Sequence, residues 1–315
     1  PSSLQIIKTC ESLSKFNYNV TLIKPGTGNK KFSIKKYYGL SQNVNIKEFI
    51  YFKKFPKGLE FYLYCFACLF FILKKKKSLT ITRNYFVCYL LLLFNQKVIL
   101  EIHHDTKIEG RITKFILKYL NFFNNNNLIN IVAISNAVKN LFINKYKVIS
   151  KKITVLPSGS SIKINYLAKL NNNKRIKIGY FGSIYKSRGL DMLIRLSSKD
   201  KTNEYYIYGG SKKEIKNLSN KYSSKNLHFQ NYIPYSKIRR KLKNIDICLL
   251  PYTNKITVSG NVGDISKYTS PLKIFDYMIT GKLIICSNIK VINEVLKHNI
   301  NSILVFKKNS HDVWL

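Results

Sequence analysis

Short apolar runs alternate with stretches of helical apolar spacing along nearly all of this 315-residue chain. The runs at 79–82, 98–101, 131–134 and 153–156 are too short for buried helices and read as strands. A second series follows at 176–181, 205–208, 227–229, 247–250, 283–286 and 303–306. Helical patterns fall between them, as at 112–122, 136–146, 190–196 and 235–242. Strand–helix alternation of this kind predicts an α/β chain of two doubly wound, Rossmann-like parallel sheets. The polar, Asn- and Lys-rich stretch 160–175 reads as a linker, giving domains at 1–163 and 164–315. The chain opens on a helix bearing Leu4, Ile7, Cys10 and Leu13 where a strand is expected, and a further helix is expected after 311–315. Both ends therefore read as truncated.

The charge is the unusual part of the composition: 54 Lys and Arg against 15 Asp and Glu, a formal +39. Nucleic acid, an anionic membrane surface or phosphorylated substrates would each answer it. The lysines are spread along the chain amid abundant Asn, Ile and Tyr, so nucleotide bias in the gene accounts for part of the excess. No clustered basic stripe or paired stacking aromatics mark a nucleic-acid surface, and none is expected as a partner. The six cysteines sit mostly in apolar runs and suit a reducing cytosol. Cys65 and Cys68 spell a CxxC, without a second pair to complete a zinc site. They lie in thirteen apolar residues, 61–73, followed by Lys74 to Lys77. That run is too short to span a bilayer and reads as a core helix or one dipping into an interface beside a basic anchor.

Three loops carry candidate chemistry. In 270–281, Ser270 would cap a helix with Pro271 in its first turn, Leu272, Phe275 and Ile279 as its apolar stripe, and Gly281 as its stop. Its first amides and Lys273 favour an anion, and Asp276 can accept from a sugar hydroxyl. The same residues would also serve an ordinary capped helix with a solvated Lys and Asp. The turn Gly179-Tyr180-Phe181-Gly182-Ser183, followed by Arg188 and Gly189, can approach a diphosphate, as can Gly209-Gly210. The alternative there is a solvated strand–helix turn. In Glu101-Ile102-His103-His104-Asp105, adjacent histidines on a strand point to opposite faces, which disfavours a shared metal. A single cleft-facing His remains, with a satisfied core His as its alternative. All these loops follow strand ends and are expected to face one cleft between the domains.

Taken in order, these segments resemble the GT-B retaining glycosyltransferases of glycosyltransferase family four, the glycosyl transferases group one. The segments that carry the resemblance are Ile99 to His103, Val132 to Ser135, Val155 to Gly159, Gly179 to Gly182 with Arg188-Gly189, Asn226 to Phe229, Ile245 to Tyr252 and the 270–281 stretch. The resemblance implies sugar transfer from a nucleoside-diphosphate sugar to an acceptor hydroxyl, without cofactor or metal. It places Arg188 and Lys273 on the diphosphate, and Gly182, Ser183, Gly209, Ser270, Pro271, Leu272 and Ile274 around the donor. Asp276 takes the ribose, and His103 lies near the reacting sugar. Asp246 only orders a strand end. Tyr268 stands where the family often has a first Glu, and Ser183 where many members have Arg. The basic, apolar 61–77 stretch suits a lipid-linked or cell-envelope saccharide as acceptor, and a cytoplasmic enzyme peripheral to the membrane's inner face. A non-catalytic anionic-surface or nucleic-acid binder, or a sugar-nucleotide epimerase on the same scaffold, are the alternatives.

Overall fold

A computed structural model describes residues 2–26, 34–41, 44–49, 58–75, 78–162, 175–222, 224–257, 264–306 and 314. The chain divides into two compact units, Pro1–Lys36 with Leu40–Pro157, and Tyr37–Gly39 with Ser158–Leu315. The expected boundary at 163/164 and most of the expected linker fall in 163–174, outside the described residues.

In the first unit, helix α1 (Ser2–Lys15) leads to β1 (Thr21–Pro25), to α2 (Ile34–Tyr38), whose last two residues are grouped with the second unit, and to β2 (Asn45–Phe49). Then come α3 (Leu59–Leu73), β3 (Thr80–Thr82), α4 (Tyr85–Leu93), β4 (Val98–Ile102), α5 (Arg111–Tyr119), β5 (Leu128–Ala133), α6 (Asn136–Tyr146) and β6 (Ile153–Val155). Strands β1 and β2 pair in parallel, and β3 to β6 form a parallel sheet in chain order. Val98, Leu100, Ile131, Ala133 and Leu91 are fully buried between sheet and helices. Asn84 accepts from the Phe86 and Val87 amides and so fixes where α4 begins, and Ser135 does the same for α6. Strand β2 has only Ile46 and Phe49 as apolar residues, which is why its run carries no strand signal.

Helix α3 is half core and half surface. Cys65, Cys68, Leu69 and Ile72 are buried, while Leu59, Leu63, Phe66 and Phe70 form an exposed stripe on the opposite side. All six cysteines are free thiols. Burial pushes the Cys65 thiol up to about 12, which suits packing rather than redox or metal chemistry. No helix among the described residues is long and apolar enough to cross a membrane.

The second unit holds β7 (Lys177–Phe181), α7 (Leu190–Lys199), β8 (Glu204–Tyr208), α8 (Lys212–Lys221), β9 (Leu227–Gln230) and α9 (Tyr235–Lys243). It continues with β10 (Ile247–Leu250), α10 (Leu272–Met278), β11 (Leu283–Ser287) and β12 (Ile303–Val305). The six strands are all parallel, in the order β12-β11-β10-β7-β8-β9. The chain thus starts at the centre, winds outward through β8 and β9, and returns to wind the other way from β10. That reversal, between β7 and β10, is the switch point at whose carboxyl end such sheets hold ligands. Tyr180, Leu193, Leu196, Tyr205, Ile207 and Leu249 build the core, and Trp314 closes onto it. Between β11 and β12 the chain forms only a single 3-10 turn, Ile292–Glu294.

Candidate active site

The switch point brings Lys273, Arg188 and Gly182 together. Lys273 Nζ lies 4.1 Å from the centre of the Tyr180 ring and 5.4 Å from that of Tyr252. Arg188 approaches the same Tyr252 ring at 5.3 Å and donates to the Thr257 carbonyl at 2.8 Å. Tyr180 ends the buried centre of β7 and Tyr252 follows β10, so the paired strands set both rings. Neither cation forms an ion pair with a carboxylate among the described residues. Burial, and then the neighbouring Arg188 charge, hold the Lys273 ammonium well below the usual lysine range. Two cations over the shared Tyr252 ring, with no acid paired to them among the described residues, form a seat that an anion would complete.

Glycine is required at the turn. Gly182 has φ +147°, and a Cβ there would collide with Lys273 Nζ. Its amide donates to the Tyr208 carbonyl at 2.8 Å, and a Cβ on Gly209 would run into the Gly182 carbonyl. The two loops therefore pack backbone to backbone. Ser183 is exposed, and its carbonyl accepts from the Tyr180 hydroxyl at 2.7 Å.

Helix α10 differs from expectation in two ways. It begins at Leu272, with Pro271 rather than Ser270 in the cap position and no side-chain cap bond. Gly281 ends the segment at φ +66°, as predicted, although the regular helix stops at Met278. Seven residues give only a short dipole, so the positive field here comes mainly from Lys273 and Arg188. Its buried face is Ile274, Asp276 and Tyr277, while Leu272 and Phe275 are only partly covered and Ile279 is exposed. The shift has a polar cause, because the Phe181 amide donates to the Tyr277 hydroxyl at 2.9 Å and turns that side of the helix to the sheet. Asp276 Oδ1 accepts from Ser160 at 2.6 Å and Tyr235 at 2.8 Å. Burial raises the Asp276 pKa, and these two bonds oppose it. Neither Ser160 nor Tyr235 carries a sequence signal for this role, since they reach Asp276 from 116 and 41 residues away.

Asp246 orders the strand starts, as the resemblance implied: its carboxylate accepts from the Lys177 amide at 2.8 Å. That places it at the amino end of the sheet, the opposite edge from Gly182.

His103 belongs to the first unit, just past β4. Its Nε2 lies 2.9 Å from Glu101 Oε1. Arg83 grips the same carboxylate with both prongs, at 3.0 and 2.8 Å, and Gln5 donates to it at 3.3 Å. Burial pushes the Glu101 pKa up, but the His103 and Arg83 bonds outweigh it and hold it below the ordinary value. Burial also lowers the His103 pKa, against the opposing pull of Glu101. A neutral imidazole donating from Nε2 keeps Nδ1 as its acceptor nitrogen. The adjacent acid goes elsewhere: Asp105 accepts from Lys145 at 2.7 Å and Tyr146 at 2.5 Å. Among the described residues no three His, Cys, Asp or Glu side chains gather as a metal site.

Residues 175–314 match the family model described as Glycosyl transferases group 1. No curated protein sequence matches the chain. Among solved structures, a glycosyltransferase from Rickettsia africae aligns at TM-score 0.67 and 18% identity, over 98% of this chain and 81% of that one. Anabaena Alr3699/HepE, solved with UDP and glucose, aligns at TM-score 0.60 and 13% identity, over 89% and 76%. The lipopolysaccharide outer core galactosyltransferase WaaB aligns at TM-score 0.59 and 13% identity, over 94% and 88%. The identities make these likenesses of fold. The parallel sheets and the likeness to these structures give the chain a GT-B fold, and its residues 175–314 are similar to the glycosyl transferases group 1 family.

Proposed function

We propose that the protein transfers a sugar from a nucleoside-diphosphate sugar to an acceptor hydroxyl, with retention at the anomeric carbon and without a metal. The observation that carries this reading is the unneutralised Lys273–Arg188 pair at the switch point. As the bond from the anomeric carbon to the diphosphate breaks, negative charge grows on the leaving oxygens. Two cations already in place, Lys273 desolvated and Arg188 half-buried, stabilise that charge with no reorganisation and take the part a divalent ion would otherwise play. Gly182 and Gly209 let the backbone approach the phosphates, beside Ser183 and the first turn of α10 from Ser270 to Ile274. Asp276 would accept from the donor ribose, exchanging the Ser160 bond for a sugar hydroxyl. His103, neutral and oriented by Glu101, would accept a hydroxyl proton of the reacting sugar or acceptor through Nδ1. Retention is supported by the resemblance to family-four enzymes. For the acceptor, the fold likeness to a lipopolysaccharide galactosyltransferase supports a lipid-linked or cell-envelope saccharide.

A nucleotide-release screen against UDP-, GDP- and ADP-sugars, with anomeric analysis of the product by NMR, tests this reading. Release of one nucleoside diphosphate per sugar transferred, retained configuration and an EDTA-insensitive rate are expected. An inverted product, loss of the rate in EDTA, or an isomerised donor still bearing its nucleotide would overturn it.

A further inference from the structure

Helix α5 has two faces that differ from the usual core-and-solvent division. Thr113, Ile116 and Leu117 are buried. The outer half carries Ile112, Phe115 and Tyr119, which are 50%, 57% and 60% exposed. At 100° per residue these three fall on one flank of the outer face, while Arg111, Lys114 and Lys118, all exposed, fall on the other. The helix has no acidic residue. Such a face costs solubility when left in water, and like charge opposes pairing with a second copy of itself.

A second helix of the same unit repeats the pattern. Helix α4 packs against both α3 and α5. The exposed α3 stripe of Leu59, Leu63, Phe66 and Phe70 continues one turn on into exposed Lys74. Leu93 and Phe94, at the end of α4 between them, are also exposed, at 58% and 52%.

We infer that α5, together with the α3 stripe, is a docking face for an anionic lipid bilayer. The large apolar side chains would enter the headgroup–acyl boundary while the flanking cations meet lipid phosphates. Charge complementarity selects this occupant. A neutral protein groove would match the apolar flank and leave three cations unanswered, whereas nucleic acid would match the cations and leave the apolar flank in water. The inference rests on the proposed lipid-linked acceptor for its purpose, but its geometry is independent of the donor site.

Vesicle flotation with phosphatidylcholine alone and with phosphatidylcholine containing phosphatidylglycerol tests it on the full chain. Binding to the anionic vesicles, weakened at high salt, is expected, with much weaker binding to neutral ones. K114E/K118E should lower anionic-vesicle affinity by more than tenfold, since each lysine lost is worth roughly fivefold before repulsion is added. F115S should lower it at all salt concentrations. Both positions are exposed, so unchanged thermal unfolding confirms that the variants fold. Equal partitioning into both vesicle types, wild-type binding by the variants, or salt-steep RNA binding without vesicle binding would overturn the inference. Nucleoside-diphosphate binding, measured in parallel, should be unaltered in both variants. Its absence from the wild type would count against the transferase reading, and vesicle binding would still stand or fall on its own.

Discussion

Two charged clusters in this protein are built on opposite principles. At the switch point of the second unit, Lys273 and Arg188 share the Tyr252 ring and have no carboxylate partner among the described residues. In the first unit, Glu101 accepts from Arg83, His103 and Gln5, so its charge is answered within the fold. A saturated network stabilises and orients. An unsaturated one lowers the stability of the free protein and recovers the cost when an anion arrives. Under the proposed function, the first would position a neutral imidazole and the second would bind a diphosphate.

The largest effect should come from Lys273→Met. Diphosphate affinity should fall by a hundredfold or more, while the free protein should hold its stability or gain about 1–4 kcal/mol, because a buried charge facing another cation is removed. Calorimetric titration and thermal unfolding read the two effects separately; a destabilised variant that still binds would reverse the assignment. Lys273 also fixes a pH dependence. Its pKa in the folded state lies well below the ordinary 10.5, so the unfolded chain binds more protons between those two values. Stability of the free protein should therefore rise with pH across that window, and diphosphate affinity should fall. The same pH series in Lys273→Met should lose both slopes.

Gly182→Ala comes next. The added Cβ meets Lys273 Nζ at a backbone angle that disfavours side chains, so about 1–3 kcal/mol of stability and at least tenfold in diphosphate affinity should be lost. Full affinity in this variant would show that Lys273 can move away without consequence.

On the other side of the comparison, Glu101→Gln should cost about 1–3 kcal/mol by weakening the Arg83 fork. The His103 pKa, read by NMR, should fall further, because the carboxylate that raises it is gone. The acid limb should change as well. Glu101 titrates below its ordinary 4.5 when folded, so its contribution is present above that value and is lost as pH falls through the folded pKa. The variant should lack this part of the acid transition. An unmoved His103 titration would dissolve the proposed orienting role. Asp246→Ala should do least, about 1 kcal/mol for one amide bond, with diphosphate binding unchanged.

Most of the fold was legible because buried parallel strands are apolar along their whole length, so Ile247–Leu250 and Leu283–Ser287 stand out of the sequence. Strand β2 did not, since a strand with one partner and three polar residues in five has no such run. Lys273, Arg188 and Gly182 were legible as loop chemistry, but their meeting depends on β7 and β10 being neighbours, which follows from topology. The α10 stripe was misplaced because Tyr277 and Asp276 are polar by composition and buried by hydrogen bonding. Arg83 and Gln5 reach Glu101 from 18 and 96 residues away, and no spacing rule connects them.

Inorganic pyrophosphate gives the most direct test of the central claim, because it probes the Lys273–Arg188 seat without any assumption about base or sugar. Wild-type protein should gain thermal stability with rising pyrophosphate and bind it far more tightly than orthophosphate, and Lys273→Met should show neither response. Equal stabilisation of wild type and Lys273→Met by pyrophosphate would contradict the account.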